Sequence, residues 1–208
     1  MIKPRYFRNI IITPRHQEIY KRLGYRHGVT GILRKQKYLI ERYIQEAGPL
    51  LAICAGFQRL VIVKKNKTSI VLSGGVRFRS RLLVRLLRDC DEMVCMAATA
   101  GKGIVEAIQK EQKKDFVRAV IFDAVASVAV DACLDWLQNY IAQGLQRQGK
   151  QLLGKRISCG YSDFSLSNQK IIYRMLKLKR CGITMTKQYM LIPEKSVTAI
   201  TGIITAKI

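Results

Sequence analysis

Arg156-Ile-Ser-Cys-Gly160-Tyr161 begins a tail that runs through Gln169-Lys170 and Gly182-Ile-Thr-Met-Thr186 to Met190-Leu-Ile-Pro-Glu-Lys-Ser-Val197. Its first segment holds a guanidinium, a residue without Cβ and a phenol. Arg156 offers a planar fork of donors that pairs bidentately with a carboxylate. Gly160 lets backbone amide and carbonyl groups come close to a ligand, and Tyr161 joins an apolar face to a hydroxyl donor. These parts suit an amino acid attached to a nucleoside. The same trio fits an ordinary loop ahead of a helix in a basic chain, and by themselves the residues leave both readings open.

Around this stretch the chain reads as mixed helices and strands. The loop continues through Ser165 into a helix over residues 168–178, which Ser165 or Ser167 caps. Two strands follow, 183–192 and 197–206, turned by Pro193-Glu194-Lys195-Ser196. Upstream lies a long helix over residues 116–146, with apolar residues at 117, 121, 124, 128, 132, 136 and 140. Many of them are Ala or Val, which lets neighbours approach closely and places this helix centrally. Residues 93–99 form a short apolar run suited to a buried strand, and Gly101 leads into a helix over 104–112. Residues 60–63 and 69–72 flank Lys64–Thr68 as a β-hairpin, with Asn66-Lys67 a weaker turn than Asn-Gly. Gly74-Gly75 breaks the strand, and 78–89 reads as an amphipathic helix with a basic face at Arg81, Arg85 and Arg88. The first 48 residues read as a helical region, with helices over 16–23 and 31–47. Strands and helices mix without βαβ alternation, which is α+β.

With 208 residues, 49% of them hydrophobic, the chain can bury a core, and one domain over residues 1–208 is expected. Its 37 Lys and Arg against 14 Asp and Glu leave a formal charge of +23, which calls for an acidic partner: nucleic acid, an anionic membrane or an acidic protein. Cys54, Cys90, Cys95, Cys133, Cys159 and Cys181 show no CxxC pair and no zinc spacing, so they read as buried reduced thiols. His16 and His27 sit among lysines and arginines, a poor setting for a metal cation. No signal peptide is expected, since residues 1–9 are polar and basic. The apolar stretch 117–134 is broken by Asp123 and Asp131 and falls short of a membrane span. A cytoplasmic protein is expected. Ala100-Gly-Lys-Gly103 lacks the spaced glycine and following hydroxyl of a phosphate loop and reads as a strand-to-helix turn. Ser73-Gly-Gly75 is too short for a Rossmann turn.

Taken together, the order and spacing of the tail motifs resemble the activation domain of cobalamin-dependent methionine synthase, whose ligand motif is Arg, three residues, Gly, Tyr. Upstream, Ser73-Gly-Gly-Val76, Ser80, Leu87, Cys90, Ala97-Ala-Thr-Ala-Gly101 and Asp123-Ala124 resemble compact stand-alone relatives of that domain. The resemblance covers most of the chain after about residue 16 and is specific after residue 155. It implies a C-shaped single domain with a twisted antiparallel sheet, a long central helix and flanking helices. It also implies an S-adenosylmethionine-binding module that supports reductive remethylation of cobalamin held by methionine synthase or a related corrinoid protein. An acidic reductant such as flavodoxin supplies the electron, and the cofactor carries the chemistry. The chain is then a component of a methyltransferase reaction without its own acid or base.

By position, the resemblance implies that Arg156 holds the methionyl carboxylate and that Gly160 and Tyr161 form the wall on which the ligand rests. Asp131 is a fourth ligand contact by its place on the long helix, unless it is simply a solvated helix charge. The fused domain continues past the point matching Ile208 and draws a further contact from that continuation, so weaker binding or completion by another subunit is implied. The alternative reading is a basic nucleic-acid-binding protein, resting on the charge and on arginines between residues 77 and 88. It has no RNP, zinc-finger or helix-turn-helix signature. A self-sufficient methyltransferase has no acceptor pocket or general base to name.

Overall fold

The computed structural model describes residues 3–26 and 28–205. The chain runs β1 (Arg5–Arg8), α1 (His16–Arg22), α2 (Arg34–Ala47), β2 (Cys54–Lys65), β3 (Ser69–Leu72) and β4 (Arg77–Arg79). It continues with α3 (Arg81–Leu86), β5 (Glu92–Thr99), α4 (Lys102–Glu111), α5 (Phe116–Gln146) and β6 (Lys150–Leu152). Last come α6 (Gln169–Met175), β7 (Thr184–Met185), β8 (Leu191–Ile192) and β9 (Ser196–Thr205). Seven strands form one curled antiparallel sheet in the order β4-β3-β2-β5-β9-β6, with β1 added along β2. With the long helix α5 against it, the architecture is α+β, as the sequence implies.

All residues of β5 are buried, and both its edges are paired. One edge meets β2 from Cys54↔Thr99 to Val61↔Glu92, the other meets β9 from Glu92↔Ile203 to Thr99↔Ser196. Alternate side chains of a strand point to opposite faces. Val94, Met96 and Ala98 enter a core with Phe122, Ala126 and Leu137 of α5. Met93, Cys95 and Ala97 enter a second core with Phe78, Leu83, Phe164 and Ile172. Two covered faces explain why 93–99 reads as an unbroken apolar run. The other edge of β2 is shared: β1 takes Cys54 to Phe57, and β3 takes Ile62 to Lys65.

α5 occupies the predicted span, but its buried face turns away from the predicted stripe. Ile121, Ala124 and Val128 are buried, whereas Val117 and Tyr140 are 54% and 38% exposed and the later anchors are Cys133, Leu137, Ile141 and Leu145. Steps of four residues drift about 40° each on a helix of 3.6 residues per turn, so a stripe built mainly from such steps leaves the core. Asp115 caps α5 by accepting from the Arg118 N–H at 3.0 Å. Gly101 holds φ +90°, and a Cβ there would lie 2.8 Å from the Ala52 carbonyl oxygen, as a tight strand-to-helix turn demands.

Three expectations change. The segments turned at Pro193 do not pair with each other: β9 lies between β5 and β6, and only the short β7 and β8 pair before the turn. β9 is drawn into the main sheet because Ala199 and Ile203 complete one core and Ile200 the other. The helix expected from 78 starts at Arg81, since Phe78 is wholly buried on β4 and Ser80 caps the helix, its Oγ accepting from the Leu83 N–H at 3.0 Å. Finally, β1 and β6 are short, basic edge strands with no apolar alternation to reveal them, so the N-terminal region is not purely helical. Residue 206, the expected end of the last strand, lies outside the described residues.

A Cβ on Gly202 would stand 2.3 Å from the Cys90 Sγ and 2.7 Å from the Leu87 Cδ2, both buried. Gly202→Ala is therefore expected to lower the unfolding free energy by about 1–3 kcal/mol. Gly144, on the exposed side of α5, has nothing within 4 Å of such a Cβ, and Gly144→Ala is expected to raise it by about 0.5–1 kcal/mol. Urea titrations of the two variants check both signs.

Candidate functional site

The segment carrying Arg156 is laced to β9. Ile157 exchanges backbone hydrogen bonds with Ile200 at 2.9 and 2.8 Å, and the Thr201 hydroxyl reaches the carbonyls of Leu153 at 3.0 Å and Lys155 at 2.8 Å. Arg156 then reaches across to α5. Its Nη1 donates to the Asp135 carboxylate at 2.5 Å and to the Gln138 side-chain amide oxygen. Both contacts use Nη1. The Nε and Nη2 edge, the pair of parallel donors that matches a carboxylate, is used by neither.

Past Ser158 and Cys159 the chain reverses at Gly160, which takes φ +96° and donates its N–H to the Phe164 carbonyl at 2.7 Å. Phe164 is wholly buried, edge-on to Phe78 at 5.8 Å. Asp163 fixes the turn from outside: its carboxylate accepts from the Ser80 hydroxyl at 2.7 Å and from the N–H groups of Arg81 at 2.5 Å and Leu82 at 3.1 Å. Those bonds, the Ser80 hydroxyl first, hold the Asp163 carboxyl below its ordinary range against the opposing effect of desolvation. Tyr161, at the head of the turn, is 67% exposed.

Two clefts flank this segment. One, of about 720 Å³, is lined by Ile11, Ile12, Arg22, Asp131, Asp135 and Trp136. Asp131 is there, one helical turn before Asp135, but its ion pair is with Arg22 at 3.8 Å rather than with the Arg156 segment. The other cleft, of about 500 Å³, is lined by Ser158 and Cys159 together with Gln169, Glu194, Val197 and Thr198. Burial pushes the Cys159 thiol up to about 12, which leaves it protonated at neutral pH. Arg156, Gly160 and Tyr161 line neither cleft among the described residues; Arg156 meets the first only through Asp135.

The acids of α5 continue this line. Asp123 pairs with Lys195 at 2.6 Å, and Ser127 accepts from the same ammonium at 2.9 Å. Asp123, Ser127, Asp131 and Asp135 thus recur every fourth residue along a helix whose other side is core. That spacing was the available signal for Asp135, which the motif alone does not reveal. Asp163 and Gln138 carry no comparable signal, because their roles depend on where distant segments meet. His16 pairs with Glu41 at 2.7 Å; His27 lies outside the described residues. All six cysteines are free, five buried and Cys159 partly so.

No protein-family model matches the sequence, and no curated protein matches it. A solved structure does: the crystal structure of the MetH reactivation domain bound to AdoHcy aligns over 97% of this chain and 78% of that one, with a TM-score of 0.69. The fold is that of the MetH reactivation domain. At 12% identity the likeness is one of architecture. Among the described residues of this reactivation-domain fold, no helix is long and apolar enough to cross a membrane.

The depressed Asp163 carboxyl sets a pH test. A carboxyl whose folded pKa lies below its unfolded value stabilises above the unfolded value, about 3.9, and loses that contribution as pH falls through the folded pKa. The amide resonances of Arg81 and Leu82 are expected to shift together on acidification below about pH 4, as their acceptor protonates. Asp163→Asn is expected to abolish that step. Titration followed by two-dimensional NMR checks it, and identical acid profiles in the two proteins would contradict the tether.

Proposed function

We propose that the chain binds S-adenosylmethionine through Arg156 and the turn after it, and so supports reductive remethylation of cobalamin on methionine synthase or a related corrinoid protein. The observation that carries this reading is the fold likeness over 97% of the chain to a domain holding AdoHcy, joined to the Arg156, Gly160, Tyr161 motif. When bound, S-adenosylmethionine supplies the methyl group, and the chain holds and orients it.

The donor set fits such a ligand. Arg156 is steadied by Asp135 and Gln138 through Nη1, and in this reading its Nε and Nη2 edge takes the methionyl carboxylate. The ligand's ammonium and sulfonium are cationic, and a chain of charge +23 repels cations over most of its surface. In the larger cleft Glu18, Asp131 and Asp135 offset Arg15, Lys21 and Arg22, and in the smaller one Glu194 is the charged lining residue, so both are less cationic than the surface around them. Asp131 serves the ammonium or the ribose hydroxyls by exchanging its Arg22 partner. Tyr161 has an exposed ring that gains burial when a purine packs on it. Clefts of about 500 and 720 Å³ fall in the usual size range for small ligands. With Cys159 protonated, none of these groups needs to act as an acid or base, in keeping with a component rather than a self-sufficient enzyme.

The corrinoid protein and an acidic reductant such as flavodoxin are the partners under this reading. The arginines 81, 85 and 88 on and after α3 offer the reductant a basic face, so encounter slows steeply as salt rises. A cytoplasmic setting agrees with six unpaired thiols.

Calorimetry with S-adenosylmethionine is expected to show one site. Arg156→Ala is expected to weaken it about 10- to 100-fold, the loss of a charge-assisted pair. Arg156→Lys is expected to fall between, because an ammonium lacks the fork. No heat at millimolar ligand, or equal affinity in Arg156→Ala, would overturn the reading.

A further inference from the structure

A third cavity lies on the sheet face where the C-terminal end of α5 runs out over β1 and β2. Its volume is about 380 Å³, and Lys3, Arg5, Arg59 and Arg147 line it with Phe57 and Tyr140. No carboxylate is among its lining residues. The acid that meets a lining residue is Glu92, 6% exposed, whose charge is already matched by Arg59 at 2.9 Å and by Lys150. Burial pushes the Glu92 carboxyl up, but the bonds and charges of Arg59 and Lys150 outweigh this and leave it lowered, so it stays ionised and neutralised. Arg59 is held in place by that pair and by donating to the Gln148 side chain at 2.9 Å. No ion pair is formed by Lys3, Arg5 or Arg147 among the described residues. The carbonyl end of α5 adds roughly half a negative charge, far less than the cations gathered around it.

The apolar side of the cavity is part of a ring cluster. Phe57 lies directly across the β1–β2 ladder from Arg5. Tyr140 packs on Phe7 at 4.9 Å and stacks on Trp136 at 5.9 Å. A cavity that joins unpaired guanidinium and ammonium groups to an aromatic wall recognises a phosphate attached to a flat ring. Guanidinium forks match phosphate oxygens, and rings stack on bases whatever their sequence. We propose that this cavity binds a free nucleoside phosphate, at a site separate from the Arg156 clefts and independent of the reading given for them.

Trp136 is the only tryptophan in the chain, so its fluorescence reports on the cavity through Tyr140. ADP added to the intact protein at low salt is expected to change that emission saturably and to weaken as salt rises. Arg5→Glu and Arg147→Glu, both exposed positions, are each expected to weaken ADP at least about tenfold while the urea midpoint stays put. By calorimetry, which does not depend on the Trp136–Tyr140 stack, pyrophosphate, which needs only the cations, is expected to bind Tyr140→Leu as it binds the wild type, whereas ADP weakens. Saturating S-adenosylmethionine is expected to leave ADP binding unchanged. The proposal is overturned by silence with ADP at millimolar concentration, by undiminished binding in the charge-reversed variants, or by full competition with S-adenosylmethionine. A single-stranded oligonucleotide that binds where ADP does not would overturn it too, in favour of a nucleic-acid surface.

Discussion

The double burial of β5 is the constraint on which the rest depends. Eight consecutive residues have both edges paired and both faces covered, so a layer must form on each side of the sheet. On one side this is α5 with α1, α2 and α4; on the other it is α3, α6 and the turn around Phe164. Removing either layer would expose half of the strand's Met, Val, Cys and Ala side chains, at roughly 25 cal/mol for each Å² of apolar surface. The order of strands follows from the same demand. β9 lies against β5 to close its second edge, and its own other edge is taken by β6 and Ile157, so it does not pair with the segment that precedes it in sequence.

That placement puts the Arg156 segment where it is. Once β9 is fixed beside β5, Ile157 is fixed beside Ile200, and Arg156 faces the turn of α5 that bears Asp135 and Gln138. Phe164, buried in the second core, pulls the following turn inward, and Asp163 ties it to the start of α3. Core packing thus positions the polar groups, and the polar groups take up few degrees of freedom of their own. The charge distribution is equally uneven: carboxylates balance cations in the cleft that holds Asp131 and Asp135, while cations gather without a lining carboxylate at the far end of α5. A chain of net charge +23 therefore presents one balanced and one cationic environment along a single helix.

Features that repeat along the chain were legible in the sequence. The span of α5, the apolar run of β5, the β2–β3 hairpin and the turn at Gly101 each follow from a local pattern. The hairpin forms in spite of its weak turn pair because Asn66 Oδ1 accepts from the N–H groups of Thr68 at 3.0 Å and Ser69 at 2.7 Å. Features that depend on distant meetings were not legible. β1 and β6 exist because β2 and β9 present open edges, not because Arg-Tyr-Phe-Arg or Lys-Gln-Leu favours extended backbone. Likewise the motif residues Arg156 and Gly160 stood out by type and spacing, whereas Asp135, Gln138 and Asp163 acquire their roles only when the sheet brings their elements together. Asp131, singled out by its place on the long helix, lies one turn from the residue that Arg156 engages and pairs with Arg22.

We propose that an S-adenosyl ligand rests on the segment between Arg156 and Tyr161. The most direct measurement is an amide NMR titration of the intact chain with S-adenosylhomocysteine, which has no methyl group to transfer. Saturable shifts are expected, concentrated at residues 156–161 and at the α5 turn holding Asp131 and Asp135. Shifts confined to other surfaces, or none at millimolar ligand, would contradict it.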